Sequence, residues 1–427
     1  MNPQDIAKAV DHRLGFAEDL FDAAAARTRD GDGITRACWS TEDQAVAEIF
    51  AEAARSLDLE VVFDRVGNVY ATLPGRDRSA PGILSGSHLD SVPRGGNFDG
   101  YAGAVAGLTA LAAFRDLGIA PPCDLTATGI RGEESVWYGT AYLGSRMAVG
   151  ALPHDELDRL KRGDTGRSLG EHMAELGFDP DALKVEAEPH ISPKTTKAFL
   201  ELHIEQGPIL IGEGIPVGIP MGIKGNARWP YGRCVGAYDH AAAVPRDYRR
   251  DAVLATVELI GAVEALWHEM EAEGIPNLVF TAGKLFTNPE EHAMTKIPGE
   301  CDFALNFGAT DTAVLDRARA RIPELAAEIA ARRKVVFDLG ELVGTDPTPL
   351  DETLRTDLGK SAESLGIPAK VMATVGHDAS IFQRAGIPSA MVLVRNEHGS
   401  HNAQEAMEMA DFGLGVRVLA ATMLARA

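Results

Sequence analysis

The chain has 427 residues, 45% of them hydrophobic, and a formal net charge of -21 at pH 7, with an isoelectric point near 5.0. That length admits two domains with full cores, and the hydrophobic content is that of a globular chain and argues against whole-chain disorder. The acidic balance argues against nucleic-acid and anionic-membrane partners, which require a basic face, so the expected partner is a small-molecule substrate.

The chain opens without a basic segment leading into an apolar one and contains no run of about 18 apolar residues, so a cytoplasmic protein outside the membrane is expected. Cys38, Cys123, Cys234 and Cys301 lack metal-ligand spacing and read as free thiols in a reducing compartment. Helical periodicity runs from Thr41 to Leu57, with Val46, Ile49, Phe50, Ala53 and Leu57 on one face. Ser40 followed by Asp43 gives that helix a capping-box-like start. A hairpin-like pair follows, Leu59–Asp64 and Val69–Leu73, around Gly67-Asn68. Next come an apolar strand at Gly82–Gly86, a Gly-rich loop, a helix over Ala102–Leu117 and a strand over Leu125–Ile130. This alternation predicts an α/β domain in three layers with a mainly parallel sheet.

The pattern changes in the middle of the chain. A strand over Gly222–Gly236, a helix over Arg249–Glu271, strands near Asn277–Gly283 and Asp302–Phe307, a helix over Thr312–Arg332 and a strand over Lys334–Leu339 give a βαββαβ order. That order predicts an inserted ferredoxin-like α+β domain over 217–341, between the two parts of the α/β domain, 1–216 and 342–427. Strands at Ala369–Ala373 and Ala390–Val394 and a helix at Met409–Ala425 then resume the first pattern.

The segment Ser87–Asp99 sets an imidazole, His88, and two carboxylates, Asp90 and Asp99, at and beyond a strand end, where open α/β sheets place ligands. Residues two apart on an extended chain point the same way, so His88 can face a metal while Asp90 reaches the far side of its ring. Four further clusters follow: Arg131-Gly132-Glu133-Glu134-Ser135, Glu201-Leu202-His203-Ile204-Glu205-Gln206-Gly207-Pro208, Tyr238-Asp239-His240 and His398-Gly399-Ser400-His401-Asn402. Adjacent glutamates at a strand end can divide two tasks, one binding a metal and one handling a proton. Each cluster alone has an ordinary explanation, a solvated glutamate pair or a satisfied histidine.

Their order is less ordinary. His-x-Asp, Gly-Gly-x-Phe-Asp-Gly, Glu-Glu, His-Ile-Glu-Gln-Gly-Pro and Ser-His-Asn together resemble the M20 metallopeptidase clan. Within it they resemble the hydantoinase/carbamoylase branch of N-carbamoyl-L-amino acid hydrolases, allantoate amidohydrolases and β-ureidopropionases. The resemblance spans nearly the whole chain. It implies an amidohydrolase that holds two divalent ions per subunit (Zn, Mn or Co) and hydrolyses a non-peptide C-N bond through a metal-bridging hydroxide. It further implies Asp99 as the bridging ligand, with His88 and His203 on one ion and Glu134 and His401 on the other. Glu133 matches the general base, Asp90 the residue that orients His88, and His240 the stabiliser of the oxyanion, often supplied by the other subunit of a homodimer. The inserted domain then serves as lid and dimerisation domain. Gln206 and Asn402 stand beside ligands as candidate substrate contacts, and His377, in Gly376-His377-Asp378-Ala379, matches a family motif as either site wall or scaffold.

The match fails at one point. The branch holds its substrate's α-carboxylate with an Asn before Ile-Pro-Gly and an Arg at a strand end, whereas here Thr295 and Gly308 stand at those positions. An atypical substrate is therefore expected, with Gly308 leaving an opening beside Phe307 and with Arg246, Arg228, Lys284 or Arg395 as the replacement cation. Two other readings compete. A dipeptidase or aminoacylase of the same clan is disfavoured because those relatives tend to carry a carboxylate where His203 stands. A catalytically silent small-molecule-binding protein is disfavoured because Glu133 and every ligand are retained.

Overall fold

A computed structural model describes residues 2–183 and 188–427. They form two compact units, Met1–Met221 with Leu350–Ala427, and Gly222–Pro349. The sequence pattern alone puts the joins at 216/217 and 341/342. The first join falls later because the strand starting at Val217 pairs with a strand of the first unit, Val217 opposite Val394 and Gly218 opposite Leu393.

In chain order the first unit carries α1 (Pro3–His12), α2 (Leu14–Thr28), α3 (Thr41–Ser56), β1 (Glu60–Phe63), β2 (Val69–Leu73), β3 (Gly82–His88), α4 (Tyr101–Asp116), β4 (Leu125–Ile130), β5 (Thr196–Ile204) and β6 (Val217–Ile223). The second unit adds β7 (Gly225–Val235), β8 (Asp239–His240), α5 (Ala252–Ala272), β9 (Val279–Phe286), β10 (Lys296–Ile297), β11 (Glu300–Ala309), α6 (Thr312–Arg333) and β12 (Val336–Asp338). The first unit then closes with α7 (Glu352–Ser364), β13 (Ala369–Thr374), α8 (Ala379–Arg384), β14 (Ser389–Val394) and α9 (Met409–Arg426). Among the described residues no helix is long and apolar enough to cross a membrane.

The sheet of the first unit runs β6-β14-β5-β3-β4-β2-β1. Its centre, β14-β5-β3-β4, is parallel, and its margins are antiparallel. The fold is thus mixed α/β with a mostly parallel central sheet. Along β5 the side chains alternate between two buried faces. Ala198, Leu200, Leu202 and Ile204 join the main core with α4 and α9, while Phe199 meets Phe382 of α8 with ring centroids 4.3 Å apart. A strand buried on both faces loses hydrophobic alternation, which is why such strands read as short apolar runs.

Ser40 caps α3 by accepting the N–H groups of Glu42 and Asp43. The reciprocal half of a capping box is absent: the Asp43 carboxylate accepts the Trp39 N–H at 2.8 Å and pairs with Arg131 at 2.7 Å. In the second unit the strand order is β9-β11-β7-β12, each neighbouring pair antiparallel. This is the order of a split βαββαβ sheet. Helices α5 and α6 bury Trp229, Phe303, Leu305 and Phe307 against one face of it.

Candidate metal centre

The parallel strands of the first unit end on the same side, so the loops after β3, β4, β5 and β14 converge there. His88 ends β3, and its Nδ1 lies 2.9 Å from the Asp90 backbone carbonyl. Donation of Nδ1–H to that carbonyl leaves the Nε2 lone pair facing inward, 3.5 Å from Asp99 Oδ1. His203, on β5, is built the same way. Its Nδ1 is 2.9 Å from the Ile204 carbonyl and its Nε2 is 3.2 Å from Asp99 Oδ1, with the Gly100 N–H also directed at that nitrogen from 3.1 Å. The second oxygen of Asp99 serves a different imidazole. Oδ2 is 3.2 Å from His401 Nε2, which is also 3.2 Å from Glu134 Oε1.

His88, Asp99 and His203 thus form one set of donor atoms and Asp99, Glu134 and His401 another, each set lying within 4.8 Å. Imidazole nitrogens aimed at a buried carboxylate need either a proton or a metal cation between them, and a mixed His/carboxylate set suits divalent Zn, Mn or Co. The donor sets fit divalent cations. Burial alone would push Asp99 up; hydrogen bonds with His203, His401 and His88 outweigh it and hold the carboxyl well below the usual range. Hydrogen bonds to Asp99 and Glu134 raise His401 to about 10.

Glycine is required at position 100. Its φ is +70°, and a Cβ there would lie 2.3 Å from Nδ1 and Cε1 of His88. Arg36, fully buried, braces the same loop from behind, with Nε 2.7 Å from the Leu89 carbonyl and Nη1 3.0 Å from Asn97 Oδ1.

Asp90 does more than orient His88. It reaches that ring chiefly through its backbone carbonyl, while its carboxylate accepts the N–H groups of Gly132 at 2.8 Å, Glu133 at 3.2 Å and Glu134 at 3.1 Å. It therefore shapes the loop that carries both glutamates. Glu133 Oε2 sits 4.0 Å from His88 Nε2. Burial, reinforced by Glu134, Asp378 and Asp90, pushes the Glu133 carboxyl well above its ordinary range against the pull of His88. Arg131 anchors the start of this loop from a fully buried position, donating to the Gly67 carbonyl at 2.6 Å, Asp43 at 2.7 Å and Gln44 at 2.6 Å.

The other predicted residues divide. Gln206 donates to Asp99 Oδ2 at 2.9 Å and so touches the centre. Asn402 does not offer its carboxamide outward: the amide donates to the His398 and Ser400 carbonyls and its oxygen accepts the Gln404 N–H, all within its own loop. His377 is buried beneath His203, with ring centroids 4.3 Å apart, and shares a hydrogen bond of 2.9 Å with Thr374.

In the second unit, His240 is exposed, and its Nδ1 faces the N–H groups of Ala242 and Ala243, both at 3.2 Å. The Thr295 carbonyl accepts the Ala241 N–H, and Arg246 is an exposed guanidinium 3.7 Å from Asp247. Gly308 does not leave the predicted opening. A Cβ there would lie 2.6 Å from Val279 Cγ2, and Phe307 is wholly buried under the helices. Arg395 is engaged by Asp411 at 2.6 Å.

The sequence pattern missed Glu405, a buried carboxylate that accepts the N–H groups of Phe98 at 2.9 Å and Asp99 at 3.1 Å. Its only local signal is its place four residues after His401.

A family model described as Peptidase family M20/M25/M40 matches residues 84–425. The N-carbamoyl-L-amino acid amidohydrolase of Geobacillus stearothermophilus is 32% identical over 390 residues, covering 91% of this chain and 92% of that protein. The allantoate amidohydrolase of Escherichia coli K12 is 30% identical over 392 residues, covering 91% and 92%. A solved hydantoinase/carbamoylase-family amidase from Burkholderia multivorans superposes with a TM-score of 0.88 at 27% identity, covering 97% of this chain and 98% of that one.

Proposed function

The chain belongs to the M20/M25/M40 peptidase family, in its hydantoinase/carbamoylase branch, and from that premise we propose that it hydrolyses a non-peptide C-N bond of an N-carbamoyl, ureido or related small molecule with two divalent cations per subunit. One observation carries this reading: the two oxygens of Asp99 face separate imidazole sets, with Glu133 beside them. Relatives that act on N-carbamoyl-L-amino acids and on allantoate support the bond type.

When bound, such cations supply Lewis acidity and bring the pKa of a water toward neutrality. Glu133 takes the proton of the attacking water and returns it to the leaving nitrogen, a role suited to a carboxyl raised by burial. His88 and His203 are held in the ligand tautomer by backbone carbonyls, and Asp90 keeps the Glu133–Glu134 backbone in place. His240 donates to the developing oxyanion. The N–H groups at its Nδ1 support the tautomer with hydrogen on Nε2, which leaves that nitrogen as the donor.

A homodimer formed by the second unit is part of the same reading. Its edge strand β9 exposes Val279 and Phe286, 38% and 54% accessible, and α5 exposes Leu254 and Val257, 47% and 49%. A free strand edge beside an apolar helix face is a surface suited to pairing.

For the substrate, the filled space at Gly308 argues against an enlarged pocket there. Arg228 lies opposite Asn306, on the sheet face that Asn306 and Gly308 share, with its Nε 3.3 Å from Asn306 Oδ1. We assign recognition of the substrate's anionic group to Arg228, displaced from the Gly308 position. The test is a panel of N-carbamoyl-amino acids, ureido acids, neutral ureas and dipeptides, run on metal-free and metal-loaded enzyme and on Glu133→Gln. Expected are metal-dependent cleavage of an anionic ureido or carbamoyl compound and a loss of about 10²- to 10⁴-fold in the variant. Preferred turnover of dipeptides, or undiminished turnover by Glu133→Gln, refutes the reading.

A further inference from the structure

His401 differs from the other members of the centre. Its side chain is 52% exposed where that of Asp99 is 5% exposed and that of Glu134 8%, and its loop is strained. His398, Gly399 and His401 have φ of +63°, +69° and +61°. A left-handed conformation is unfavourable for a non-glycine residue, so this arm needs external support. Asn396 supplies part of it, donating to the Gly399 carbonyl at 2.6 Å while accepting the Gln206 N–H at 3.0 Å. The rest reaches Asp99 itself.

Glu405 Oε1 accepts the backbone N–H groups of Phe98 and Asp99. Its Oε2 accepts the Ser400 hydroxyl at 2.6 Å, and that hydroxyl also meets Asp99 Oδ2, the oxygen that faces His401. The Asp99 loop is shaped around this carboxylate, since a Cβ at Gly96 would lie 2.1 Å from Glu405 Oε1. Glu405 therefore grips the Asp99 backbone with one oxygen and the His401 arm with the other. His88 and His203 are held by separate carbonyls, of Asp90 and Ile204.

We propose that Glu405, acting through Ser400, is a positioning residue specific to one of the two cation positions: it presents Asp99 Oδ2 and His401 to a cation shared with Glu134, and leaves the His88/Asp99/His203 position largely alone. The proposal rests on the two-cation reading above. A carboxylate that only stabilised the fold would, when removed, weaken both positions alike or lower stability without altering metal stoichiometry.

The experiment titrates metal-free wild type, Glu405→Ala, Glu405→Gln and Ser400→Ala with Zn²⁺ by calorimetry and equilibrium dialysis, with thermal unfolding recorded in parallel. Wild type is expected to bind two ions. Glu405→Ala keeps one tight ion and binds the second at least about tenfold more weakly. Ser400→Ala shows the same selective loss to a smaller degree. Glu405→Gln binds both, because its amide oxygen can accept the two N–H groups while its NH₂ donates to Ser400, freeing that hydroxyl to donate to Asp99. Parallel weakening of both ions in Glu405→Ala, or unchanged binding with only a lower melting temperature, overturns the proposal. Should Glu405→Ala not fold, Ser400→Ala decides, and two undiminished ions there overturn it equally. Fewer than two ions on wild type would instead refute the two-cation reading.

Discussion

Replacing Gly100 by alanine tests the close approach of its loop to His88 in the candidate metal centre, and Gly118 provides a positive-φ control with open space around it. Both glycines have positive φ, +70° and +63°, but a Cβ at 118 meets nothing within 4 Å, whereas one at 100 lies 2.3 Å from the His88 ring. Gly118→Ala should cost only the backbone term, about 1–2 kcal/mol. Gly100→Ala carries a larger backbone term, since φ +70° with ψ -56° is a γ-turn conformation outside the αL well, closed by the Tyr101 N–H on the Asp99 carbonyl, and it also drives the ring back by roughly an ångström to reach ordinary contact near 3.5 Å. That movement breaks the Nδ1 bond to the Asp90 carbonyl, adding about 0.5–1.5 kcal/mol, and withdraws Nε2 from Asp99. Denaturant unfolding of the metal-free proteins reads the stability difference, and equilibrium dialysis against Zn²⁺ reads affinity. Gly118→Ala should bind metal like wild type and Gly100→Ala at least about tenfold more weakly. Equal affinity in the two variants would refute the close-approach argument.

Asp43→Ala leaves the Arg131 guanidinium buried without its carboxylate, both side chains being 0% exposed, so urea unfolding should show a loss of about 3–5 kcal/mol; a loss under about 1 kcal/mol contradicts the pairing. Metal binding should release protons. With His401 raised to about 10 its ring stays protonated at about pH 8, where an ordinary imidazole is neutral, and a cation needs the neutral ring. Affinity should therefore rise with pH through that range, and calorimetry in buffers of different ionisation enthalpy should count at least one proton released at about pH 8; a count of zero removes the basis for the shift. His240→Ala should reduce turnover by about 10²- to 10³-fold while retaining both metals. Mixed with Glu133→Ala chains it should regain activity if the residue acts across a dimer, and mixtures no more active than the separate variants exclude that route.

Much of the architecture follows from local pattern. The strand at Leu125–Ile130 is observed as predicted, and the helix predicted over Thr312–Arg332 extends one residue further, to Arg333. Both depend on periodicity and caps among near neighbours in the chain. Helix α1, with its Asn2 cap and its buried face of Ile6, Ala9 and Val10, and the helix at Leu169–Glu175, with a Ser168–Glu171 capping box, carry the same local signals, whereas α2 and the short helices at Leu143–Ala148 and Glu156–Arg159 have no side-chain cap. Their packing against distant elements, such as Ser145 bonded to Asp378 at 2.5 Å, leaves little periodic trace.

The candidate centre divides along the same line. The order of His88, Asp99, Glu133-Glu134, His203 and His401 in the sequence was enough to point to a family and a donor set, because side-chain chemistry is carried by residue type. Tertiary packing alone decided how those groups are held. It gave the Asp90 carboxylate to the backbone of Gly132, Glu133 and Glu134, turned Asn402 into its own loop, and filled the space at Gly308 with Val279. It also set Glu405 against the Asp99 loop, 306 residues away in the chain. Such contacts form only when strand ends from separate parts of the chain converge, and residue type and short-range spacing carry no record of which distant backbone group will meet a buried carboxylate.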